Sequence, residues 1–231
     1  MAAPAFALEP APDRVPLKDR PLVVLVGLTG AGKTTLAGAL GLPTLPNRRE
    51  LTDRYILGGP VADRVERFRR VAAWRRAHPG GVAELLARGY VPPAPVWLFD
   101  GLRGEGELEY ALAHLPRARF LVLEADPGTR LLRLLARREA FDRVADPGEL
   151  AALAEGMVPA EVLDRALAIA PAPEVAEKLR IVVEESRNYG YEGVRRVLGG
   201  SPRALFLDAR APVAALAERA RTWLEGTLAD R

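Results

Sequence analysis

The chain has 231 residues, of which 33 are Lys or Arg and 30 are Asp or Glu, and its formal net charge is +3 at pH 7. This length suits one α/β domain with a small inserted subdomain and excludes two large independent domains. Cysteine is absent and only two histidines occur, which excludes disulfides, thiolate metal sites and a histidine zinc cage. Acidic residues are mixed among the arginines, so the charge pattern does not indicate a nucleic-acid partner.

The first 20 residues are rich in Pro and Ala and carry scattered charges. This composition predicts a flexible N-terminal arm, either draped on the domain or disordered. The arm lacks both a basic start and a continuous apolar core, and no run in the chain is long and apolar enough to span a bilayer. We therefore expect a cytoplasmic protein with no membrane partner, whose folded domain occupies residues 21–231.

Five short apolar segments are predicted as strands, at residues 22–26, 43–45, 96–99, 120–124 and 204–207. Helical patterns lie between them, at residues 33–40, 61–77, 82–88, 105–114, 127–139 and 212–228. This alternation is typical of an α/β fold in which helices cover both faces of a parallel sheet. Residues 147–200 carry apolar side chains at helical spacing without a strand, which predicts a helical insertion before the last strand.

A glycine-rich segment, GLTGAGKT at residues 27–34, directly follows the first strand and fills the pattern G-x-x-x-x-G-K-[ST]. Glycines let successive backbone N–H groups point at one anion, and the positive end of the next helix adds to the attraction. We expect Lys33 to reach the β- and γ-phosphates and the Thr34 hydroxyl to hold Mg²⁺. A glycine turn that only joins a strand to a helix is the alternative. The predicted nucleotide contacts are Gly27, Leu28, Thr29, Gly30, Ala31, Gly32, Lys33, Thr34 and Thr35.

The third predicted strand ends in VWLFD, which places Asp100 at the carboxyl end of a strand. Functional groups in parallel sheets gather at that edge, and an acid there can order Mg²⁺ or an attacking hydroxyl. Gly101 permits a close approach of the backbone, and Arg103 can clamp a phosphate or carboxylate. Asp100 therefore joins Thr34 as a predicted metal ligand, with a simple turn cap as the alternative.

The segment at residues 27–34, called the phosphate loop below, and DGLR at residues 100–103 resemble parts of the small P-loop kinases of the nucleoside monophosphate kinase group, and dephospho-coenzyme A kinases look similar. The resemblance implies a three-layer P-loop NTPase with a five-stranded parallel sheet in the order 2-3-1-4-5. It also implies ATP and Mg²⁺ as cofactors, Asp100 as the metal or acceptor acid and Arg103 as a clamp on the acceptor. Residues 147–200 have no counterpart in that family.

Two other segments extend the resemblance. LLARREAFDR, at residues 134–143, is similar to the helix end that opens the lid over the nucleotide, which implies catalytic and nucleotide contacts for Arg137 and Arg138, with Arg143 as a further candidate. Residues 139–200 would then form the lid and the insertion. Asp208 and Arg210 follow the last strand, where the family's connecting loop passes the adenine. For the arginines, the alternative is an exposed helix face with salt bridges. For Asp208, the alternative is the start of a turn.

The acceptor is expected in residues 46–95, where such kinases carry a helical acceptor-binding subdomain. The segment NRRELTDRY lies just beyond the second strand and supplies Arg48, Arg49, Asp53 and Arg54. Asp53 could accept a hydroxyl proton while the arginines fix an anionic acceptor. Alternatively, Thr52 or Asp53 caps the start of a helix.

These features predict an ATP- and Mg²⁺-dependent kinase that phosphorylates a small, anionic acceptor such as a nucleotide, a nucleoside or a cofactor precursor. The alternative is a P-loop ATPase or a nucleotide-binding regulator that couples ATP binding or hydrolysis to a partner protein. Lysine occurs only at Lys18, Lys33 and Lys178. None of them lies in the Asn-Lys-x-Asp motif that specifies guanine, so a GTP-specific switch is not expected.

Overall fold

The computed structural model describes residues 5–61, 64–136 and 154–229. Within these ranges the strands are β1 Val15–Pro16, β2 Leu22–Val26, β3 Tyr90–Val91, β4 Trp97–Leu102, β5 Ala118–Glu124 and β6 Ala204–Asp208. The helices are α1 Lys33–Leu40, α2 Arg48–Tyr55, α3 Arg64–Ala77, α4 Val82–Arg88, α5 Glu105–His114, α6 Pro127–Leu135, α7 Ala160–Ile169, α8 Ala172–Tyr189, α9 Tyr191–Leu198 and α10 Val213–Ala229. No helix in the described ranges is long and apolar enough to cross a membrane.

The main sheet has four parallel strands in the order β4-β2-β5-β6. Its central strand β2 is buried along its whole length, which explains why it is a continuous apolar run without alternation. Since the strands are parallel, their carboxyl ends share one edge of the sheet. The phosphate loop, Asp100 and Asp208 all lie at this edge.

The predicted second strand, residues 43–45, is not a strand, so the predicted five-stranded sheet has four strands over the described residues. Thr44 forms a single parallel bridge to Leu98, and the Leu98 N–H donates to the Pro43 carbonyl at 2.8 Å. Pro43 begins the segment and Pro46 directly follows it, and neither residue has an N–H to donate. The ladder therefore ends after one bridge on the outer side of β4.

Helices cover both faces of the sheet. One core cluster joins Val24 and Phe99 to the helices α4, α5 and α9. The opposite cluster joins Val23 and Leu25 to α1 and α10. Neighbouring residues of β2 thus point to opposite faces, as the two-residue period of a strand requires. The helix-sheet-helix layering predicted from the sequence is present.

The described part of the N-terminal arm, residues 5–20, is packed on the domain. Phe6 and Leu17 are fully buried. The arm also pairs with the main body, because Val15 and Pro16 form a short antiparallel pair with β3. A side chain at Gly89 would collide with the Phe6 ring. Burial of these two apolar side chains outweighs the arm's low intrinsic preference for structure.

The described part of the predicted insertion is helical and contains no strand. Helices α7 and α8 pack on α6 around a third apolar cluster that includes Leu131, Val175, Leu179 and Val182. This cluster fixes α8 so that its carboxyl end reaches the phosphate loop. Residues 137–153, which include the start of the predicted insertion, lie outside the described ranges.

Candidate functional site

The phosphate loop connects the buried strand β2 to α1. Gly30 and Gly32 have φ angles of 86° and 97°, which L-residues with side chains rarely adopt. A Cβ at Gly30 would lie 2.8 Å from the Arg130 carbonyl oxygen. Helix α1 begins at Lys33 without a side-chain cap, so its first N–H groups are available to an anion.

Lys33 is the charged group of the loop, and its side chain is largely buried. Its ammonium donates to the Leu28 carbonyl at 3.2 Å. Burial lowers the pKa of Lys33 to about 8, although the nearby Asp100 carboxylate acts in the opposite direction. The Leu28 carbonyl carries no full negative charge. A phosphate bound beside Lys33 would supply one and would favour the charged ammonium.

Thr34 and Asp100 meet at the start of α1, as the sequence predicts. The Thr34 hydroxyl donates to Asp100 Oδ2 at 3.3 Å. Asp100 pairs with Leu25 in the sheet, and the register shifts directly afterwards at Gly101, whose φ is 129°. This bulge ends regular pairing beside the loop.

The two oxygens fit Mg²⁺, an ion that takes oxygen ligands and is bound through one or two carboxylates together with substrate phosphates. No cluster of three or more His, Cys, Asp or Glu residues suited to a metal occurs in the described ranges. Thr34 and Asp100 are therefore the residues that would hold Mg²⁺ at this loop.

The loop opens into a cavity of about 680 Å³, called the central cavity below. The sheet edge forms one wall, and the helices α2, α3 and α4 form the other. Its volume falls within the usual range of small-molecule sites. The lining residues used below are Thr29, Lys33, Thr34, Arg48, Arg49, Thr52, Ile56, Val71, Trp74, Arg75, Asp100 and Arg103.

Arg48 lines the central cavity, but a buried carboxylate neutralises its charge. Its two Nη atoms donate to the two oxygens of Glu107 at 2.5 and 2.6 Å. The Glu107 side chain is fully buried. Burial acts to lower the pKa of Arg48, and the contact with Glu107 outweighs it and raises the pKa. Arg48 is thus a structural pairing partner that ties α2 to α5.

The predicted catalytic role of Asp53 is not supported by its position. Asp53 lines a different cavity, beside Phe6, and its Oδ2 lies 3.7 Å from Arg49 Nε. Helix α2 begins at Arg48 with Asn47 as its cap, instead of at Thr52 or Asp53. Each helical position turns the side chain by about 100°, so Thr52 faces the central cavity and Asp53 faces away. The side chain of Arg54 is directed to the Tyr55 ring.

Arg103 lies beside the phosphate loop, where the sequence places it. Its Nη2 is 3.5 Å from the Thr29 hydroxyl oxygen, and its backbone N–H donates to Glu107 at 2.9 Å. The predicted acceptor clamp, however, already has a carboxylate partner. Arg103 Nη1 donates to Glu185 Oε1 at 2.8 Å.

Glu185 and Arg130 are parts of the site that the sequence analysis missed. Glu185 accepts hydrogen bonds from the Thr29 N–H at 2.7 Å and the Thr29 hydroxyl at 2.6 Å. Arg130 Nη2 lies 3.1 Å from Glu185 Oε2, and Arg130 Nε donates to the Thr29 carbonyl at 2.9 Å. The sequence held one signal for a polar site here. Val175 and Val182 lie on one apolar face of α8, and the next position on that face is the polar residue Ser186.

The predicted lid arginines, Arg137 and Arg138, lie outside the described residues, as does Arg143. Asp208 and Arg210 are largely exposed and pair with each other at 2.7 Å. The hydrogen bond from Arg210 lowers the pKa of Asp208 to about 2. Neither residue lines the central cavity.

An unpredicted arginine, Arg133, connects the loop to the segment after β6. Its two Nη atoms donate to the Ala31 carbonyl at 3.2 Å and the Ala209 carbonyl at 2.6 Å. Arg133 therefore holds the outer side of the phosphate loop next to the residues that follow β6.

No protein-family model and no curated protein matches the chain. It is similar in structure to a sugar kinase from Janibacter sp. HTCC2649 (22% identity, TM-score 0.38, 89% of this chain and 95% of that chain). It is also similar to a gluconokinase from Sinorhizobium meliloti 1021 (15%, TM-score 0.41, 90% and 93%). A third similar structure is a shikimate kinase from Acinetobacter baumannii (17%, TM-score 0.48, 93% and 97%). These three similar structures are all kinases.

Proposed function

We propose that this protein is a kinase that transfers the γ-phosphoryl group of ATP to a hydroxyl group of a small molecule bound in the central cavity. One observation carries the proposal: a single cavity contains Lys33, Thr34 and Asp100 at one end and the side chains of three helices at the other. A donor loop and an acceptor pocket that share one cavity suit direct transfer between two bound molecules.

At the donor end, the loop amides and Lys33 would hold the phosphates. Mg²⁺ on Thr34 and Asp100 would supply charge neutralisation on the transferring group. Asp100 would also order the acceptor hydroxyl. For the nucleotide base and the lid we retain Asp208, Arg210, Arg137 and Arg138 as candidates.

At the acceptor end, Arg75 is the arginine best suited to bind an anion. It donates to the Tyr189 hydroxyl at 2.6 Å, and its guanidinium lies over the Tyr189 ring at 5.5 Å. Both contacts are with an uncharged side chain, and within the described residues no carboxylate pairs with Arg75. Its charge is therefore open to a ligand, unlike the charges of Arg48 and Arg103.

The wall around Arg75 is partly apolar, with Ile56, Val71 and Trp74 lining the same cavity. Apolar walls with a few placed polar groups are typical of small-molecule sites. We infer that the acceptor is a small hydroxylated molecule with an apolar face and one anionic group directed to Arg75.

A screen of hydroxylated acceptors with Mg·ATP tests the proposal, with ADP release and thermal shift as readouts. The panel should pair each anionic compound with its uncharged analogue. We expect an anionic acceptor to raise ADP release above basal hydrolysis in the wild type and to leave Lys33→Met inactive. If ADP release is never acceptor-dependent across the panel, an ATPase or regulatory function replaces the kinase.

A further inference from the structure

Four donors converge on the carboxylate of Glu185. They are the Thr29 N–H and hydroxyl, Arg103 Nη1 and Arg130 Nη2, at distances between 2.6 and 3.1 Å. A backbone amide, a hydroxyl and two guanidiniums form the type of donor set that binds phosphate or carboxylate ligands. The protein's own side chain thus occupies an anion subsite on the phosphate loop.

The carboxylate is delivered by a rigid element. Glu185 lies near the end of α8, 156 residues from Thr29, and α8 is anchored through Leu179, Val182 and Val183, which are buried. Ser186 adds a hydrogen bond from Arg130 Nη1 at 2.8 Å. The position of the carboxylate is therefore fixed by the packing of the helical insertion.

Charge balance explains why the subsite is filled. Arg130 is 1% exposed, and a buried guanidinium requires an anionic partner. Burial acts to raise the pKa of Glu185, but Arg103, Thr29 and Arg130 outweigh it and hold the pKa below its ordinary value. Glu185 is thus charged at neutral pH and neutralises one of its two guanidinium partners.

The partners of Glu185 line two different cavities. Thr29 and Arg103 line the central cavity, whereas Arg130 and Ser186 line a second cavity of about 660 Å³. A shorter, uncharged side chain at position 185 would remove the carboxylate and leave the four donors around the space that it occupied. An anion entering from the central cavity would then find a complete set of donors.

We propose that Glu185 is a specificity-determining residue that fills this subsite and excludes a second anionic group from the loop end of the central cavity. The acceptor consequently presents an uncharged hydroxyl near Thr29 and Arg103 and keeps its anionic group at Arg75. This statement about the acceptor rests on the proposed kinase function, whereas the exclusion of anions does not.

Inorganic phosphate is the probe, because its binding is measured without any catalysis. Isothermal titration calorimetry compares the wild type, Glu185→Ala and Glu184→Ala, whose exposed neighbouring carboxylate controls for the change in net charge. We expect Glu185→Ala to bind phosphate at least about tenfold more tightly than Glu184→Ala. The double variant Glu185→Ala/Arg103→Ala should lose that gain, because it removes one of the donors. Equal affinities in the two single variants, or a gain that survives the loss of Arg103, would overturn the proposal.

A conservative pair keeps the test decisive if Glu185→Ala fails to fold. Glu185→Gln retains an oxygen for Thr29 and removes the charge, so it should bind phosphate more tightly than Glu184→Gln by a smaller factor. Equal binding by this pair also contradicts the exclusion of anions. If the acceptor screen finds no substrate while Glu185→Ala gains phosphate affinity, the kinase function fails and the anion subsite stands. If a substrate is found and phosphate affinity does not change, the kinase function stands and the anion subsite fails.

Discussion

The Thr34 hydroxyl donates to Asp100 Oδ2 at 3.3 Å, which joins the first turn of α1 to the end of β4. These two oxygens come from segments 66 residues apart in the chain. Their proximity follows from the parallel pairing of β2 with β4, which brings both carboxyl ends to one edge. The proposed metal position is therefore a consequence of sheet topology.

Asp100→Asn tests this pair. Replacing the carboxylate by an amide removes the charge that would bind the metal and order the acceptor hydroxyl, so we expect turnover to fall by about 10²–10⁴-fold. Nucleotide affinity should change little, since the loop amides and Lys33 remain. Steady-state rates and a fluorescent-nucleotide titration measure the two effects. Asp164→Asn, at an exposed position on α7, is the control. A variant with wild-type rate and Mg²⁺ dependence would leave Asp100 with only a structural role at the strand end.

Lys33→Met is expected to abolish transfer and to stabilise the fold. Burial lowers the pKa of Lys33 to about 8 from 10.5, so keeping the ammonium charged in the folded protein costs free energy at neutral pH. The gain from its removal is at most about 3 kcal/mol. Between pH 8 and 10.5 the unfolded chain binds more protons at this residue than the folded one. The contribution of Lys33 to wild-type stability therefore rises with pH through this window, and the advantage of the variant shrinks.

Urea unfolding of both proteins at neutral pH and near the upper end of that window measures the difference. Lys18→Met, which removes an exposed lysine, supplies the control. A variant that is less stable than the wild type at neutral pH would show that the Lys33 ammonium contributes more to the fold through its contacts than its burial costs.

Arg75 and Arg103 should affect different kinetic constants. Because Arg75 has only an uncharged partner, Arg75→Ala should raise the KM of the anionic acceptor by a factor equivalent to about 1.5–3 kcal/mol, with kcat nearly unchanged. Arg76→Ala, at the exposed neighbouring position, is the control. An equal effect in both variants would exclude a direct contact between Arg75 and the acceptor.

For Arg103→Ala we expect kcat to fall by roughly 10²-fold, because its guanidinium lies beside Thr29 in the loop. The KM of the anionic acceptor should change little. Parallel measurements of basal ATP hydrolysis and acceptor phosphorylation separate this role from the acceptor clamp implied by the family resemblance. A large rise in the acceptor KM with constant basal hydrolysis would restore the clamp.

Glu107→Ala should destabilise the fold. Arg48 would lose a bidentate partner that is fully buried, and removing one member of a buried ion pair costs about 3–5 kcal/mol. Glu109→Ala, at an exposed position on the same helix, is the matched control for urea unfolding. A loss as small as that of the control would indicate that water solvates Arg48 after the substitution.

Local patterns predicted the elements nearest the loop well. The predicted limits of β2 and α1 agree with the structure, because a buried apolar run, a glycine motif and helix spacing are all encoded within adjacent residues. The position of Asp100 was also predictable, because parallel strands share an edge at their carboxyl ends. The prediction of a strand at residues 43–45 was wrong, since Pro43 and Pro46 limit pairing.

Long-range partners were not predictable in the same way. Glu185 reaches Thr29 only because α8 packs on α6, and no local pattern specifies that docking. Likewise, the pairing of Arg48 with Glu107 joins residues 59 positions apart. The sequence therefore predicted that Arg48 binds the acceptor, whereas in the structure Glu107 neutralises its charge. Charged residues could be assigned to the site, but their partners required the tertiary structure.

Following γ-labelled ATP with the best acceptor from the screen tests the claim that phosphate-loop chemistry acts on a molecule in the adjoining cavity. The label should appear on the acceptor with the wild type, and Lys33→Met should leave it on ATP. Wild-type protein that releases the label only as inorganic phosphate, at a rate independent of every acceptor, would contradict the claim.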